Sequence, residues 1–284
     1  MTSARDSSSE SVIQSLPVSL ARNRNVSPTL LKHYVQCPHR VRLQYIEHVP
    51  QPRRYDHFLS QGRIAHDLLK FGADRRKRHM PLPEAEQLFR MVNLRVPANE
   101  FPSGEARKEF LEQIVRWVIT GLSYLGDDAE ILFIEKFQRR PLGRSTTTLL
   151  FKPDVVLKRK DREGEFIQVI DYKTGKRFAD DLVPVLARFS LKPLLRQLSP
   201  DPSEARVCFT YVWLEHKEHH DRDLTVEFCN YHWPEITNTI ERLFAETGWN
   251  PNPPHLCKYC PYSGNACTAY QSGVTDARNN PLFG

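Results

Sequence analysis

Two acidic residues and a lysine lie close together near the middle of the chain. Asp154 stands in Lys152-Pro153-Asp154-Val155-Val156-Leu157, and Asp171 and Lys173 stand in Ile167-Gln168-Val169-Ile170-Asp171-Tyr172-Lys173. Both runs have the apolar, β-branched composition of strands. Side chains alternate along a strand, so Asp171 and Lys173 share a face. The link from Lys158 to Gly164 is short enough for a hairpin, and a turn centred near Arg162 sets Asp154 opposite Val169 to Asp171. Two carboxylates side by side repel each other unless a cation lies between them. A hard divalent ion such as Mg²⁺ takes such oxygens and keeps positions for water and a phosphate oxygen. It can activate the water and offset charge on the phosphate, while a lysine adds fixed positive charge where the transition state gathers negative charge. The chemistry these residue types suit is phosphodiester hydrolysis. An isolated Asp-x-Lys is more often a surface ion pair, but this one ends an otherwise apolar strand, at a sheet end where sites are built.

A second constellation lies in the tail. Cys257-Lys-Tyr-Cys260-Pro-Tyr-Ser-Gly-Asn-Ala-Cys267 is C-x2-C-x6-C in a Pro- and Gly-containing segment with little core of its own. Three thiols this close read as metal ligands. Zinc and iron–sulfur sites both take four, so a fourth comes from elsewhere. Cys208 and Cys229 sit in strand-like apolar runs, as small core residues do. Cys37, in Val35-Gln36-Cys37-Pro38, is the natural fourth and would close a loop of over two hundred residues. Spacing does not separate zinc from iron–sulfur.

The elements that must position these groups are partly visible. Ser27 is an N-cap, Pro28 the first helical residue, and Leu30, Leu31 and Tyr34 an apolar stripe. A second helix is expected over about Phe58 to Phe71, with Ile64 and Leu68 on one face. His66 lies on it, and a lone helical histidine is more often a core residue than a ligand. Helical periodicity runs from about Pro83 to Leu125, with Phe110, Ile114, Trp117, Val118 and Leu122 as its buried stripe. Strands are expected at Glu130–Phe137, Thr148–Leu157, Glu165–Tyr172, Arg206–Leu214 and Leu224–Tyr231. Helices are expected over Asp181–Leu198, interrupted by Pro184 and Pro193, and over Pro234–Thr247. Strands set between helices imply an α/β architecture with a mixed sheet.

Composition bounds the partner. The chain has 284 residues, is 40% hydrophobic and 10% aromatic, and carries a formal charge of +6, which suits a globular protein with a polyanionic partner. Arg75, Arg76, Lys77, Arg78 and His79 form one basic group and Lys158, Arg159 and Lys160 another; the simplest reading of each is a solvated loop. No run approaches the roughly eighteen apolar residues that would span a bilayer. Met1 to Asn25, rich in Ser and Arg, lacks the apolar core of a secretory signal and reads as a mobile tail, which points to the cytoplasm. Six cysteines in such a chain argue for metal binding and against a disulfide framework.

Taken together these residues resemble the RecB-like branch of the PD-(D/E)xK nucleases, and most nearly the iron–sulfur exonucleases of CRISPR adaptation modules and the AddB-type recombination nucleases. Ser27-Pro28-x5-Tyr34-x2-Cys37-Pro38 is similar to the family's opening helix with its first cluster cysteine, and Gly62-x3-His66 to its histidine motif. Pro153-Asp154 and Asp171-Tyr172-Lys173, followed by Thr174-Gly175, are similar to the signature itself. The resemblance implies a restriction-endonuclease-like mixed sheet flanked by helices, with a helical insertion and an iron–sulfur cluster joining the N- and C-terminal segments. Its divisions would be a tail at 1–25, N-terminal helices at 26–71, the insertion at 72–128 roofing a basic channel, a nuclease core at 129–233 and a cysteine-rich end at 234–284. It further implies that Asp154, Asp171 and His66, with the carbonyl of Tyr172, bind Mg²⁺ or Mn²⁺. Lys173 would orient water or stabilise the scissile phosphate, with Glu135 as an outer partner or a surface residue. Cys37, Cys257, Cys260 and Cys267 would hold a [4Fe–4S] cluster, with zinc as the alternative.

The implied substrate is DNA, single-stranded or with frayed ends, in CRISPR adaptation (antiviral defence), DNA repair or recombination. The alternative is a subunit of a spacer-integrase or helicase complex, partner-dependent or catalytically weak. One feature departs from the family: the Gln-x3-Tyr usual on the helix after the DxK strand is absent, with Ser190 and Leu194 at those positions.

Overall fold

The computed structural model describes residues 24–51, 57–142, 146–199, 201–252, 257 and 260–269. The expected N-terminal tail lies almost wholly outside them, but Arg24 and Asn25 are described. Asn25–Val26 form a short strand, β1. Helix α1 (Pro28–Gln36) begins as its cap residues dictate: Leu30 N donates to Ser27 Oγ at 3.2 Å, and Leu30, Leu31 and Tyr34 are buried. A single turn, α2 (Pro38–Val41), and a π-helical turn (Arg42–Ile46) follow. Helix α3 (His57–Lys77) is longer than its apolar pattern suggested, and Ile64 and Leu68 do share its buried face. Helices α4 (Ala85–Asn93) and α5 (Gly104–Ser123) divide the next region, with the Phe110–Leu122 stripe buried on α5.

Strands β2 (Glu130–Ile134), β5 (Val155–Asp161), β6 (Gly164–Lys173), β7 (Val207–Trp213) and β8 (Glu218–Asp223) form a mixed sheet in the order β2-β5-β6-β7-β8. Only the β6–β7 pair is parallel. A smaller sheet orders β1, β4 (Thr148–Phe151) and β3 (Gln138–Pro141). Alternation along β6 feeds two cores. Ile167 and Val169 join α1, α6 (Leu182–Ser190) and α8 (Val226–Ala245) on one side, whereas Ile170 and Tyr172 join α3, α4 and α5 on the other. The fold is therefore mixed α/β with helices on both sides of the larger sheet. No helix among the described residues is long and apolar enough to cross a membrane.

Several expectations are corrected. Thr148–Leu157 is two strands in two sheets, because Pro153 has no N–H for a ladder and the chain changes sheet there. The helix over Asp181–Leu198 is two, α6 and α7 (Lys192–Leu198), and each proline sits in a first turn where no donor is missed. Leu224–Tyr231 is not a strand. Thr225 caps α8 by accepting from Phe228 N at 3.1 Å, and Cys229, Ile236, Ile240 and Leu243 follow helical spacing. Pro234, read as a helix start, lies inside α8. The strands not expected are β1, β3 and β8, the last of them six polar or charged residues whose composition suits an exposed sheet edge.

Candidate active site

The β5–β6 hairpin places the two aspartates. Its register pairs Asp161 with Gly164 and Val155 with Ile170, so Asp154 meets Asp171, as the expected turn near Arg162 requires. Backbone groups hold Asp154: Tyr172 N donates to its Oδ2 at 2.8 Å, and Glu135 N donates to its carbonyl at 2.9 Å. Glu135 takes a left-handed conformation (φ 46°) that ends β2, and its carboxylate accepts from Lys70 and Lys152, each at 3.1 Å. Burial opposes the charge of Glu135, but the two ammonium groups outweigh it and lower its pKa. Glu135 therefore pins Asp154 from behind.

Helix α3 supplies the histidine. His66 Nδ1 lies 3.4 Å from Asp154 Oδ1, and its ring meets Tyr172 edge-on at 6.4 Å. Gly62, one turn earlier, lets α3 approach: a Cβ there would stand 2.9 Å from Thr174 Oγ1. Gly121 does the same for α5. A Cβ there would run into the Leu69 side chain, while its carbonyl accepts the Tyr172 hydroxyl at 3.0 Å. The side chain of Tyr172 thus locks β6 between Asp171 and Lys173.

Asp171 and Lys173 complete the group, with Lys173 Nζ 2.5 Å from Asp171 Oδ2. The geometry is that of a close ion pair, and this oxygen makes no well-directed hydrogen bond. Burial raises the Asp171 pKa, Lys173 opposes the rise and Asp154 adds to it. For Lys173, burial disfavours the ammonium, but Asp171 and Asp154 outweigh burial and raise its pKa. His66 behaves alike: burial disfavours the imidazolium, and the hydrogen bond and charge of Asp154 more than compensate. Between 15% and 36% of each of these four side chains remains exposed, so the group is recessed yet reachable.

Does this donor set fit a divalent ion? The oxygens are hard, two carboxylates adjoin, and one buried oxygen lacks a directed donor, which is what such an ion satisfies. As placed, no three His, Cys, Asp or Glu side chains among the described residues close around a single point. Asp154, Asp171 and His66 are the residues that would hold the ion.

Three of the expected cysteines, Cys257, Cys260 and Cys267, share the tail loop, but no three thiols among the described residues close around a single point. Burial raises the Cys257 pKa first, and the charges of Cys37, Cys260 and Cys267 raise it further. The tail loop is folded by its own backbone: Cys260 N donates to Cys257 O at 3.0 Å and Cys267 N to Tyr262 O at 2.9 Å. It is joined to the N-terminal region through Asn252 N to Cys37 Sγ (3.5 Å) and the Tyr262 hydroxyl to Val49 O (3.3 Å). All six thiols are free, and burial pushes those of Cys208 and Cys229 up to about 11.

Other expected features are used locally. Arg75 donates to Pro81 O, Arg76 pairs with Asp127, Lys77 donates to Leu132 O and Arg78 pairs with Asp74. Lys158 pairs with Glu165, and Arg159 binds Gln168 and the carbonyl of Tyr124. Lys77, Arg78, His79 and Lys160 remain exposed. Ser190 is fully buried; its hydroxyl donates to Leu186 O and its carbonyl accepts from Arg140. The sequence reading passed over Lys32 and Asp180, which pair at 2.6 Å beside the site. Nothing in their local sequence distinguishes them.

A sequence profile of the PD-(D/E)XK nuclease superfamily matches residues 25–267, from β1 to Cys267. No curated protein sequence matches the chain. Among solved structures the chain is similar to one described as "Crystal structure of SSO0001", with a TM-score of 0.35 and 15% identity over 84% of each chain.

Proposed function

The chain belongs to the PD-(D/E)XK nuclease superfamily, and from that premise we propose that it is a divalent-metal-dependent deoxyribonuclease that trims single-stranded DNA or frayed duplex ends. The observation that carries this reading is the convergence of Asp154, Asp171, Lys173 and His66 at one end of the β5–β6 hairpin. A bound Mg²⁺ or Mn²⁺ supplies Lewis acidity toward the phosphate and lowers the pKa of a water. The chain's own groups do the rest. Asp154 is aimed by the Tyr172 amide and steadies the His66 ring in turn. Lys173, held charged by the two aspartates, places positive charge where the phosphate gathers negative charge.

In the same reading Cys37, Cys257, Cys260 and Cys267 hold a [4Fe–4S] cluster, with zinc as the alternative, and fasten the tail to α1. An all-thiolate set suits either group. The pathway we propose is CRISPR adaptation, DNA repair or recombination. The helix after β6 offers the strand no free polar group at Ser190. That feature favours a second reading, a subunit that cuts efficiently only with an integrase or helicase partner.

The test is made on anaerobically purified protein, taking a visible spectrum and following Mn²⁺-dependent degradation of labelled single-stranded DNA on one sample. A broad band near roughly 400 nm together with cutting is expected from a cluster-bearing nuclease. A colourless, zinc-containing, active protein overturns the cluster and keeps the nuclease. Cutting only after a partner is added favours the second reading.

A further inference from the structure

One charged pair beside the aspartates has no part in the chemistry above. Lys32 on α1 reaches Asp180, in the loop between β6 and α6, with Nζ 2.6 Å from Oδ2. The two ends of the pair differ. The Asp180 side chain is 2% exposed and the Lys32 side chain 23%. Asp180 is also fixed: its Oδ1 accepts from Val183 N at 3.0 Å and its carbonyl accepts the Tyr211 hydroxyl at 3.1 Å. The pair adjoins the site through Tyr211, which stands beside Asp171 in the β6–β7 register, donates its hydroxyl to the Asp180 carbonyl and has its ring centroid 5.8 Å from Lys173 Nζ. Helix α1, which carries Lys32, is capped by Ser27 and anchored by buried Leu30, Leu31 and Tyr34.

A buried carboxylate paired with a lysine adds little stability of its own, because desolvation offsets the attraction. An ammonium has three N–H donors, and its close ion pair with Asp180 Oδ2 is not a well-directed hydrogen bond. At least two donors therefore remain for a ligand arriving from the solvent side. The neighbouring carboxylates of Asp154 and Asp171 would repel a phosphodiester, so a fixed cation at the edge of that field favours its approach. We propose that Lys32 is a phosphate-binding residue of this site and that Asp180 is the positioning residue that holds its ammonium beside Asp171, ready for a backbone phosphate of the bound strand. The identity of the ligand rests on the nuclease reading above.

Lys32→Met keeps the aliphatic stem and removes the charge, but it leaves Asp180 buried without its cation. The double variant Lys32→Met/Asp180→Asn removes both charges and avoids that cost, and Lys32→Arg keeps a cation. Binding of a labelled single-stranded oligonucleotide is measured in Ca²⁺, a hard cation of the same oxygen-binding class, over a range of salt. KM and kcat are measured in Mn²⁺. The expected result is an affinity about tenfold lower in Lys32→Met and in the double variant, with the log–log salt slope shallower by about 0.7, the share of one phosphate on a single strand. KM rises to match while kcat stays within about threefold, because uniform binding has been lost, and Lys32→Arg recovers most of the affinity.

A merely structural pair predicts instead that the double variant, once stable, binds with wild-type affinity and slope; that result overturns the proposal. The two readings separate cleanly. If wild type cuts but both charge-removing variants match it in affinity, slope and KM, the phosphate site falls and the nuclease stands. If wild type never cuts but the affinity and slope losses appear, the nuclease reading falls and the phosphate site stands.

Discussion

Helix α1 touches two sites of opposite character: Lys32 stands beside the carboxylate group, and Cys37 follows the helix end at the thiol group. The carboxylate site is a product of the fold. Its aspartates are placed by a hairpin whose register runs unbroken from Asp161–Gly164 to Val155–Ile170, and Asp154 is gripped by two backbone amides. The thiol site is a junction between distant ends of the chain. It is spanned by contacts such as Tyr34 to Glu246 (2.9 Å), His39 to the Trp249 carbonyl (3.2 Å) and Tyr262 to the Val49 carbonyl. Tyr262 is its buried tail residue. In the proposed reading one site is made by the fold and then used for chemistry, whereas the other, once loaded with a metal group, would help to make the fold.

The sharpest way to break this contrast is to remove chemistry without touching stability. Lys173→Ala is expected to lower cleavage by about 10³-fold or more, by loss of a charge at the reacting phosphate. The free energy of unfolding should change by no more than about 1 to 2 kcal/mol, because Lys173 and Asp171 both keep solvent contact at a sheet end. Single-turnover cleavage beside equilibrium unfolding checks both halves.

Cys260→Ser should do the reverse. Losing the metal group opens a loop of more than two hundred residues and costs on the order of 4 kcal/mol. The bound metal disappears, while residual cutting at low temperature persists because the β5–β6 hairpin is intact. Metal analysis with thermal unfolding decides it.

A smaller effect should appear with pH at the junction. His33, on α1, has its pKa pushed down to about 4 by burial first and then by Arg40 and Lys32. The unfolded chain, near 6.5, takes the proton first. Stability is therefore full above about pH 6.5, falls as the pH drops toward 4, and levels off below. The ring is partly open to solvent, so a loss on the order of 1 to 2 kcal/mol is expected. Urea midpoints at pH 7.5 and 4.5 should differ less in His33→Gln than in wild type.

Smallest is Gly62→Ala. The added methyl meets Thr174 Oγ1 and nudges α3, while alanine favours the helix. Cleavage should fall about three- to tenfold, on the order of 1 kcal/mol at the transition state, with stability nearly unchanged. Equal loss of stability and activity would mean that Gly62 serves packing alone.

Much of the carboxylate site was legible in the sequence because short-range rules placed it. A period of two sets Asp171 and Lys173 on one face, and a tight turn at Arg162 brings Asp154 across. The Ser27-Pro28 cap fixed the start of α1 in the same way. What was not legible depended on long-range packing. Leu224 to Tyr231 alternates well enough to pass for a strand until α8 buries Cys229 on one helical stripe with Ile236. Strand β8 has no apolar pattern because it is a polar edge. The Lys32–Asp180 pair joins residues far apart in sequence through tertiary packing alone. The Arg75–His79 group, read most simply as a solvated loop, begins on the last turn of α3 and has donors used by neighbouring carbonyls and carboxylates.

The central claim is that the carboxylate group cuts DNA. The decisive measurement is Mn²⁺-dependent degradation of end-labelled single-stranded DNA by wild type and Asp171→Asn side by side, both confirmed as folded. Degradation by wild type, absent in chelator and abolished in Asp171→Asn, is the predicted result. Equal degradation by the two proteins would contradict the site, and no degradation by wild type in Mn²⁺ or Mg²⁺, with or without a partner, would contradict the function.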